Sequence, residues 1–247
     1  MNLRDVLNGL IGLFFPADCK ICGRPLDPLN RSLICESCWS KVKWLNPPYC
    51  SSCSKPFLPS KAFQKFPSFL CLECQKERPH FKKVFVPTLY EGVMKEAIHL
   101  LKYNKKINVI QGIKRIIKVY LDHNPSLFLH LDLVVPVPLH RRKFKERGFN
   151  QAELLAKIIA KHFNLKLVKD NLKRIKSTQT QAKLSKKERA ENIKKAFLVK
   201  DPDKFQGKSI LLVDDVYTTG TTVKEIAKIL KRAKAKDVYV FTLARAY

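Results

Sequence analysis

Two groups of residues in this chain have the types and spacing that chemistry needs. The first is the run Ile210 to Val223, ILLVDDVYTTGTTV, where four apolar residues lead into two adjacent acids and then into threonines set around a glycine. A short, uninterrupted apolar run marks a strand buried on both faces, and open α/β sheets bind ligands at the carboxyl ends of such strands. At that edge Asp214 and Asp215 can accept hydrogen bonds from vicinal hydroxyls. Thr218, Thr219, Gly220, Thr221 and Thr222 then offer backbone N–H groups, hydroxyls and one residue free to take positive φ, which together wrap an anion at the start of a helix. Hydroxyl acceptors beside an anion cradle describe a site for a sugar phosphate. The spacing Thr222-x-x-Glu225 predicts a capping box on the helix that follows. An ATPase reading would need a Gly-x-x-x-x-Gly-Lys-Ser/Thr loop as well. The only candidate ends in Gly207, Lys208 and Ser209, has Pro202 where the first glycine belongs and precedes its strand, so that reading is excluded.

The second group is the cysteines. All eight fall in four Cys-x-x-Cys pairs: Cys19 and Cys22, Cys35 and Cys38, Cys50 and Cys53, Cys71 and Cys74. A two-residue spacer lets both thiolates of a pair face one tetrahedral ion, so four pairs make two Cys₄ zinc sites. Nothing marks the chain as secreted, and redox pairs do not come in arrays of four, which argues against disulfides. Pairing of consecutive knuckles is favoured because it closes the shorter loops, although an interleaved cross-brace would also satisfy both ions. With few large apolar residues besides Trp39, Trp44 and Phe57, the segment is expected to be held together chiefly by metal.

The elements that must position these groups follow from length and patterning. At 247 residues, 45% of them apolar, the chain can build a core and is expected to hold one good-sized domain and a small one. The net charge of +27 predicts a polyanionic partner, nucleic acid or an anionic membrane surface, while lysines scattered this widely are also compatible with background composition. An apolar run from Leu7 to Phe15 is interrupted by Asn8 and Gly9 and is too short to span a bilayer. No small-residue cleavage site follows it, so residues 1–16 read as an amphipathic element able to touch a membrane, in a cytoplasmic protein.

A boundary is expected after Arg78 and Pro79, giving residues 1–82 as the N-terminal segment with its double Cys₄ module and residues 83–247 as the large domain. There the patterning predicts strands over Val84–Tyr90, Leu131–Val137, Leu165–Val168, Ile210–Val213 and Val238–Leu243. It predicts helices over Val93–Tyr103, Ile107–Leu121, Ala152–Phe163, Glu188–Lys195 and Val223–Ala233. Strands alternating with helices imply an α/β domain, a mostly parallel sheet with helices on both faces. A second strand feeds a basic loop, RRKFKERGFNQ from Arg141 to Gln151, and Asn150 with Glu153 reads as a helix cap with its returning acid. Arg147 and Gly148 then lie just ahead of a helix N-terminus, a position suited to anions. Residues 174–189 are polar and read as a mobile lid.

The run from Ile210 resembles the 5-phosphoribosyl 1-pyrophosphate (PRPP) motif of type I phosphoribosyltransferases. The resemblance implies that Asp214 and Asp215 hold the ribose 2- and 3-hydroxyls and that Thr218, Thr219, Gly220, Thr221 and Thr222 cradle the 5-phosphate. By the same likeness Leu139, His140 and Arg141 form the pyrophosphate loop, Arg142 and Arg147 assist it, and Mg²⁺ accompanies PRPP. A closing loop would carry Lys173, Arg174, Thr178, Gln179 and Arg189.

Further segments, in order, narrow the resemblance: the cysteine pairs, YEG from Tyr90, IHLLKY from Ile98, RGFNQ from Arg147, QTQ from Gln179 with Arg189 and Asn192, and then the PRPP run. Along nearly the whole chain this is similar to the ComF family. That likeness implies a role in natural transformation and DNA uptake, with single-stranded DNA as ligand and a helicase-like and a DNA-processing protein as partners. The positive charge suits DNA binding without sequence preference, and Trp39, Trp44, Tyr49 and Phe57 are candidates to stack on unpaired bases where they do not serve as core. With no hood-forming segment after the last predicted strand and no cysteine at the start to act as an amidotransferase nucleophile, no residue is assigned a catalytic role. The favoured expectation is a DNA-uptake protein carrying a PRPP-binding domain. A working Mg²⁺-dependent phosphoribosyltransferase on an unidentified acceptor is the alternative, and a sensor in which the sugar phosphate alters DNA affinity is a third reading.

Overall fold

Residues 18–26, 33–58, 69–103, 106–176 and 195–246 are described by the computed structural model. Its frame is a six-stranded sheet of β1 (Val84–Phe85), β2 (Thr88–Leu89), β3 (Leu133–Pro136), β4 (Lys166–Leu167), β7 (Ser209–Tyr217) and β8 (Asp237–Arg245). The order is β1-β8-β7-β3-β4, with β2 also on β8, and every pairing in it is parallel. The strand predicted over Val84–Tyr90 is thus two short strands: Pro87, between them, has no N–H to give the ladder, and its carbonyl instead accepts from Leu45 N–H. The strand predicted to end at Val213 runs on to Tyr217, because β8 keeps pairing with it through Asp214↔Thr242, Val216↔Ala244 and Tyr217↔Arg245.

Alternation along the central strands builds two cores. Leu211, Val213, Val134, Phe241 and Leu243 point to one face, where they meet α3 (Gly92–Tyr103), α4 (Ile110–Asp122) and α6 (Gln151–Phe163). Ile210, Leu212, Leu133, Val135, Val238 and Val240 point to the other, against α7 (Thr221–Arg232) and the antiparallel pair β5 (Leu172–Arg174) and β6 (Phe197–Val199). The helices covering both faces obey the predicted periodicities. Only the first turn of the helix expected from Ile107 differs, since Ile107–Val109 is a 3₁₀ turn.

The cysteine-rich segment is divided between these cores. Ile34, Cys38, Trp39 and Val42, around the short helix α1 (Glu36–Trp39), join the first core, whereas Cys50, Cys53, Cys71 and Cys74, the last on the short helix α2 (Leu72–Lys76), join the second together with Phe81, Tyr217 and Val223. Gly112 of α4 lies flat against the Trp39 indole, so closely that a Cβ there would collide with the ring. Trp39 is 6% exposed. It is therefore core and cannot stack on a base, and metal is not the only thing that holds this segment.

Two elements escaped the periodicity argument. The basic stretch expected to be a loop is a helix, α5 (Arg141–Arg147), held by His140, whose Nδ1 accepts from Arg142 N–H at 3.3 Å, and by an Arg142–Glu146 pair at 3.0 Å. No residue of α5 is buried, so it carries no apolar stripe to read. The β5–β6 pair consists of three-residue strands too short for a pattern. The amphipathic element over residues 1–16 and most of the helix expected over Glu188–Lys195 lie outside the described residues, as do residues 177–189 of the expected lid, including Thr178, Gln179 and Arg189. Among the described residues no helix is long and apolar enough to cross a membrane.

Candidate ligand cleft and zinc centres

At the carboxyl ends of β3 and β7 the sheet opens into a cleft of about 340 Å³. Its floor is Asp214 to Tyr217 on β7 and its rim the loop Thr218 to Thr222. The opposite wall is Val137, Pro138 and Leu139 after β3, with Lys143 and Arg147 from α5 and Gln151 opening α6. Tyr90, Lys102 and Tyr103 close one side and Arg174 of β5 another. Of the described residues predicted to meet a ligand, all line this space except His140, Arg141, Arg142 and Lys173; His140 and Arg141 lie at the start of α5, where the His140 ring is engaged as the cap. Arg142 is likewise turned away, paired with Glu146.

The acids are set by the strand. Asp214 Oδ1 accepts from Asp215 N–H at 2.9 Å, and Asp215 Oδ1 is paired with Lys102 Nζ at 2.8 Å. Asp215 Oδ2 is buried without a hydrogen-bond partner. Burial pushes the Asp214 carboxyl up to about 7; Asp215 beside it adds to that rise, and Lys102, the Asp215 N–H and Arg174 oppose it. Burial works against the charge of Lys102, but Asp215 and then Asp214 outweigh it and leave Lys102 above the ordinary lysine value. Lys143, in contrast, is lowered by burial and by the nearby charges of Arg174, Arg147 and Lys102. Two carboxylates thus face four converging cations, an arrangement that separates hydroxyl-accepting ground from anion-binding ground.

The loop after β7 is built for close approach. Gly220, at φ +73°, is the N-cap residue of α7, a conformation that would strain a side chain. Thr219 Oγ1 lies 2.7 Å from Thr221 Oγ1 and 3.5 Å from Thr221 N. The capping box expected from Thr222 and Glu225 does not form, since Glu225 instead accepts from Lys195 N–H at 3.3 Å. The cap at Asn150 does form: its Oδ1 accepts from Ala152 N–H and its Nδ2 donates to the Val137 carbonyl, tying α6 to the cleft wall. Glu153 is not its returning acid, being paired with Lys157 and Lys169.

Lys102 and Lys143 were not expected at this site. For Lys102 a signal existed: it stands four residues after Ile98 and eight after Met94, on the apolar stripe of α3, where a lysine needs a buried partner. Lys143 gave no such signal, because it is one of several basic residues in an unpatterned stretch.

The cysteines form two sets, Cys19, Cys22, Cys35, Cys38 and Cys50, Cys53, Cys71, Cys74, with all sulfurs of a set within 4.8 Å of one another. This is consecutive pairing. Separations of 3.8 Å (Cys19–Cys38), 3.7 Å (Cys22–Cys35) and 3.7 Å (Cys53–Cys71) match the edge of about 3.8 Å of a tetrahedron with Zn–S bonds of about 2.3 Å. Backbone N–H groups aim at the sulfurs as well: Cys35 N at Cys19 Sγ (3.4 Å), and Cys53 N and Cys71 N at Cys50 Sγ (3.5 and 3.3 Å).

A parallel sheet with a cleft at its carboxyl edge, preceded by two tetrathiolate sites, defines a phosphoribosyltransferase-type domain joined to a double zinc ribbon. A phosphoribosyl transferase domain model matches residues 150–246 and a double zinc ribbon model residues 10–75, so the two Cys₄ sets are sites for two structural zinc ions. The DNA utilization protein YhgH of Escherichia coli (strain K12) is 31% identical over 94% of this chain and 99% of its own length. Competence protein F of Haemophilus influenzae is 29% identical over the same shares, and Competence protein ComFC of Bacillus subtilis 28% identical over 86% of this chain and 84% of its own. The chain belongs to the ComF family.

Proposed function

We propose that the protein acts in DNA uptake, binding single-stranded DNA, and that its cleft binds PRPP with Mg²⁺. The observation that carries the second half is the junction of the half-buried Asp214 and buried Asp215 with the threonine loop capped at Gly220, faced by Lys102, Lys143, Arg147 and Arg174. In this reading Asp214 and the unpartnered Oδ2 of Asp215 accept the ribose hydroxyls. Thr218 to Thr222 hold the 5-phosphate at the start of α7. Lys143, Arg147 and Arg174 take the pyrophosphate in the place expected for His140 and Arg141. The acid pair is also the nearest set of oxygen donors for Mg²⁺, which would supply charge neutralisation at the pyrophosphate. Arg147 is held in place by Gln151 Oε1 and lies 5.8 Å from the Tyr103 ring centre.

The DNA half rests on the charge of +27 and on relatives whose names refer to competence and DNA utilization. A helicase-like and a DNA-processing protein, and a peripheral contact at the inner face of the cytoplasmic membrane, belong to the same reading. Turnover of PRPP onto an acceptor is the second reading. It is favoured by the four cations, which would stabilise departing pyrophosphate.

Two titrations test this on the zinc-loaded protein. Calorimetry with PRPP and Mg²⁺ is expected to show binding that Asp215→Asn weakens by at least about tenfold, the loss of a charged hydrogen-bond acceptor. Absence of heat at any concentration would remove the cleft reading. Anisotropy of labelled single-stranded DNA is expected to show affinity falling by about 10³-fold between about 50 and 200 mM salt. Binding that ignores salt would remove the DNA half. Pyrophosphate release on adding candidate acceptors would establish turnover.

A further inference from the structure

Arg245, at the end of β8, is 4% exposed and makes no ion pair with a carboxylate among the described residues; its Nε and Nη1 are buried without hydrogen-bond partners. A guanidinium is costly to bury without an anion beside it. What Arg245 meets is Cys53 Sγ, 3.9 Å from Nη2, and the ring of Tyr217, whose centre is 4.5 Å from its central carbon. A tetrathiolate site holding one dication carries a net charge of −2 by formal count, so the second zinc centre is the counter-ion that this buried arginine lacks elsewhere.

The other side of Tyr217 leads to the cleft. Tyr217 is 3% exposed, pairs with Arg245 across β7 and β8, and is packed edge-on by Phe81 at 6.5 Å. Its hydroxyl end lies over Gly220, so that a Cβ at residue 220 would collide with the phenol. Cys53, Arg245, Tyr217 and Gly220 therefore form one packed series from a zinc ligand to the glycine of the loop lining the cleft. Among the described residues the first zinc centre has no counterpart to it: its arginine, Arg24, contacts Cys22 and Cys35 from an exposed position.

We propose that Arg245 is a positioning residue that ties the second zinc centre to the loop after β7, so that metal occupancy and anion binding in the cleft reinforce each other. This rests on the reading of that loop as the phosphate cradle. The coupling is reciprocal: the cradle closes best over a zinc-loaded centre, and a bound phosphate slows zinc loss from that centre alone.

Cysteine alkylation of the full-length, zinc-loaded protein, followed peptide by peptide by mass spectrometry, reads each centre separately. PRPP with Mg²⁺, added at a concentration shown by calorimetry to saturate, is expected to slow labelling of Cys50, Cys53, Cys71 and Cys74 several-fold and to leave Cys19, Cys22, Cys35 and Cys38 unchanged. Arg245→Met is expected to speed labelling of the second set alone and to abolish the PRPP effect, and Arg245→Lys, which keeps the charge, to recover part of it. A ligand-free arm separates failure of the coupling from failure of the cleft reading. Gly220→Ala, which forces Tyr217 aside, is expected to speed labelling of the second set without any PRPP. Labelling of the second set unchanged from wild type in Gly220→Ala, or unchanged in wild type when PRPP is demonstrably bound, would overturn the proposal; no PRPP binding together with a Gly220→Ala effect would overturn only the identity of the ligand.

Discussion

The two zinc centres have the same ligands and the same knuckle spacing but opposite surroundings. In the first, Cys22 is exposed and Cys35 half-buried, and the nearby cation Arg24 is open to water; in the second all four cysteines are buried and the cation is the enclosed Arg245. The spacing of a Cys-x-x-Cys pair decides whether a metal can be held, and it says nothing of what the metal supports. Solvent screens the charge of the first centre, whereas that of the second is balanced inside the protein, beside β7 and β8. The first anchors itself through Trp39 on Gly112, and the second is continuous with the core beneath α7.

The largest expected difference comes from removing one ligand of each. Cys53→Ser should cost more than about 4 kcal/mol, since it leaves an uncompensated guanidinium in the core together with a lost metal site. Cys22→Ser should cost about 1–2 kcal/mol, because an exposed site can take water in place of the thiolate. Thermal melting with zinc content measured by mass spectrometry checks both, and a larger loss from Cys22→Ser would break the comparison.

A middle-sized effect is expected where the first centre meets the sheet. Trp39→Ala should cost about 3 kcal/mol through the cavity it leaves, and Gly112→Ala about 1–3 kcal/mol through overpacking against the indole. Both variants should still bind two zinc ions and should melt earlier. Loss of the first zinc in either would show that Trp39 supports the metal site itself and is more than its anchor.

These contrasts also indicate how far the residues could be read in advance. The strands β3, β4, β7 and β8, the helices α3, α6 and α7 and both zinc sets follow from periodicity and spacing, because each of those patterns repeats the geometry it produces. The acid pair and threonine loop were legible for the same reason. Arg245, Tyr217 and Lys102 were not, since their partners lie far along the chain: Cys53 for Arg245, Asp215 for Lys102. A lone charge in an apolar stretch shows that a partner exists without saying which. His140 and Arg141 were misplaced because a helix held by one cap and one ion pair has no apolar stripe, and once α5 forms it directs Lys143 into the cleft beside the expected Arg147.

The smallest expected effect, in pH, bears on the half of the molecule that the second centre supports. The Asp214 carboxyl is held up to about 7, first by burial and then by Asp215, against an ordinary value of 3.8. Between those values the folded protein keeps a proton that the unfolded chain has released, so stability falls as pH rises from about 4 to 7 and is level above. Asp214→Asn removes the burden of an ionised group and should flatten that slope, melting about 3 °C above wild type at pH 8. It should also lose PRPP binding, as expected where a site holds a charge its fold would otherwise expel. Melting from pH 5 to 8 gives the slope. In Cys22→Ser the slope should persist, because the first centre does not touch the cleft. In Cys53→Ser, if enough folded protein survives to melt, it should shrink as Arg245 and Tyr217 loosen and water reaches β7. Equal slopes in the two cysteine variants would mean that the two centres differ in burial alone, and that the second does not shape the cleft.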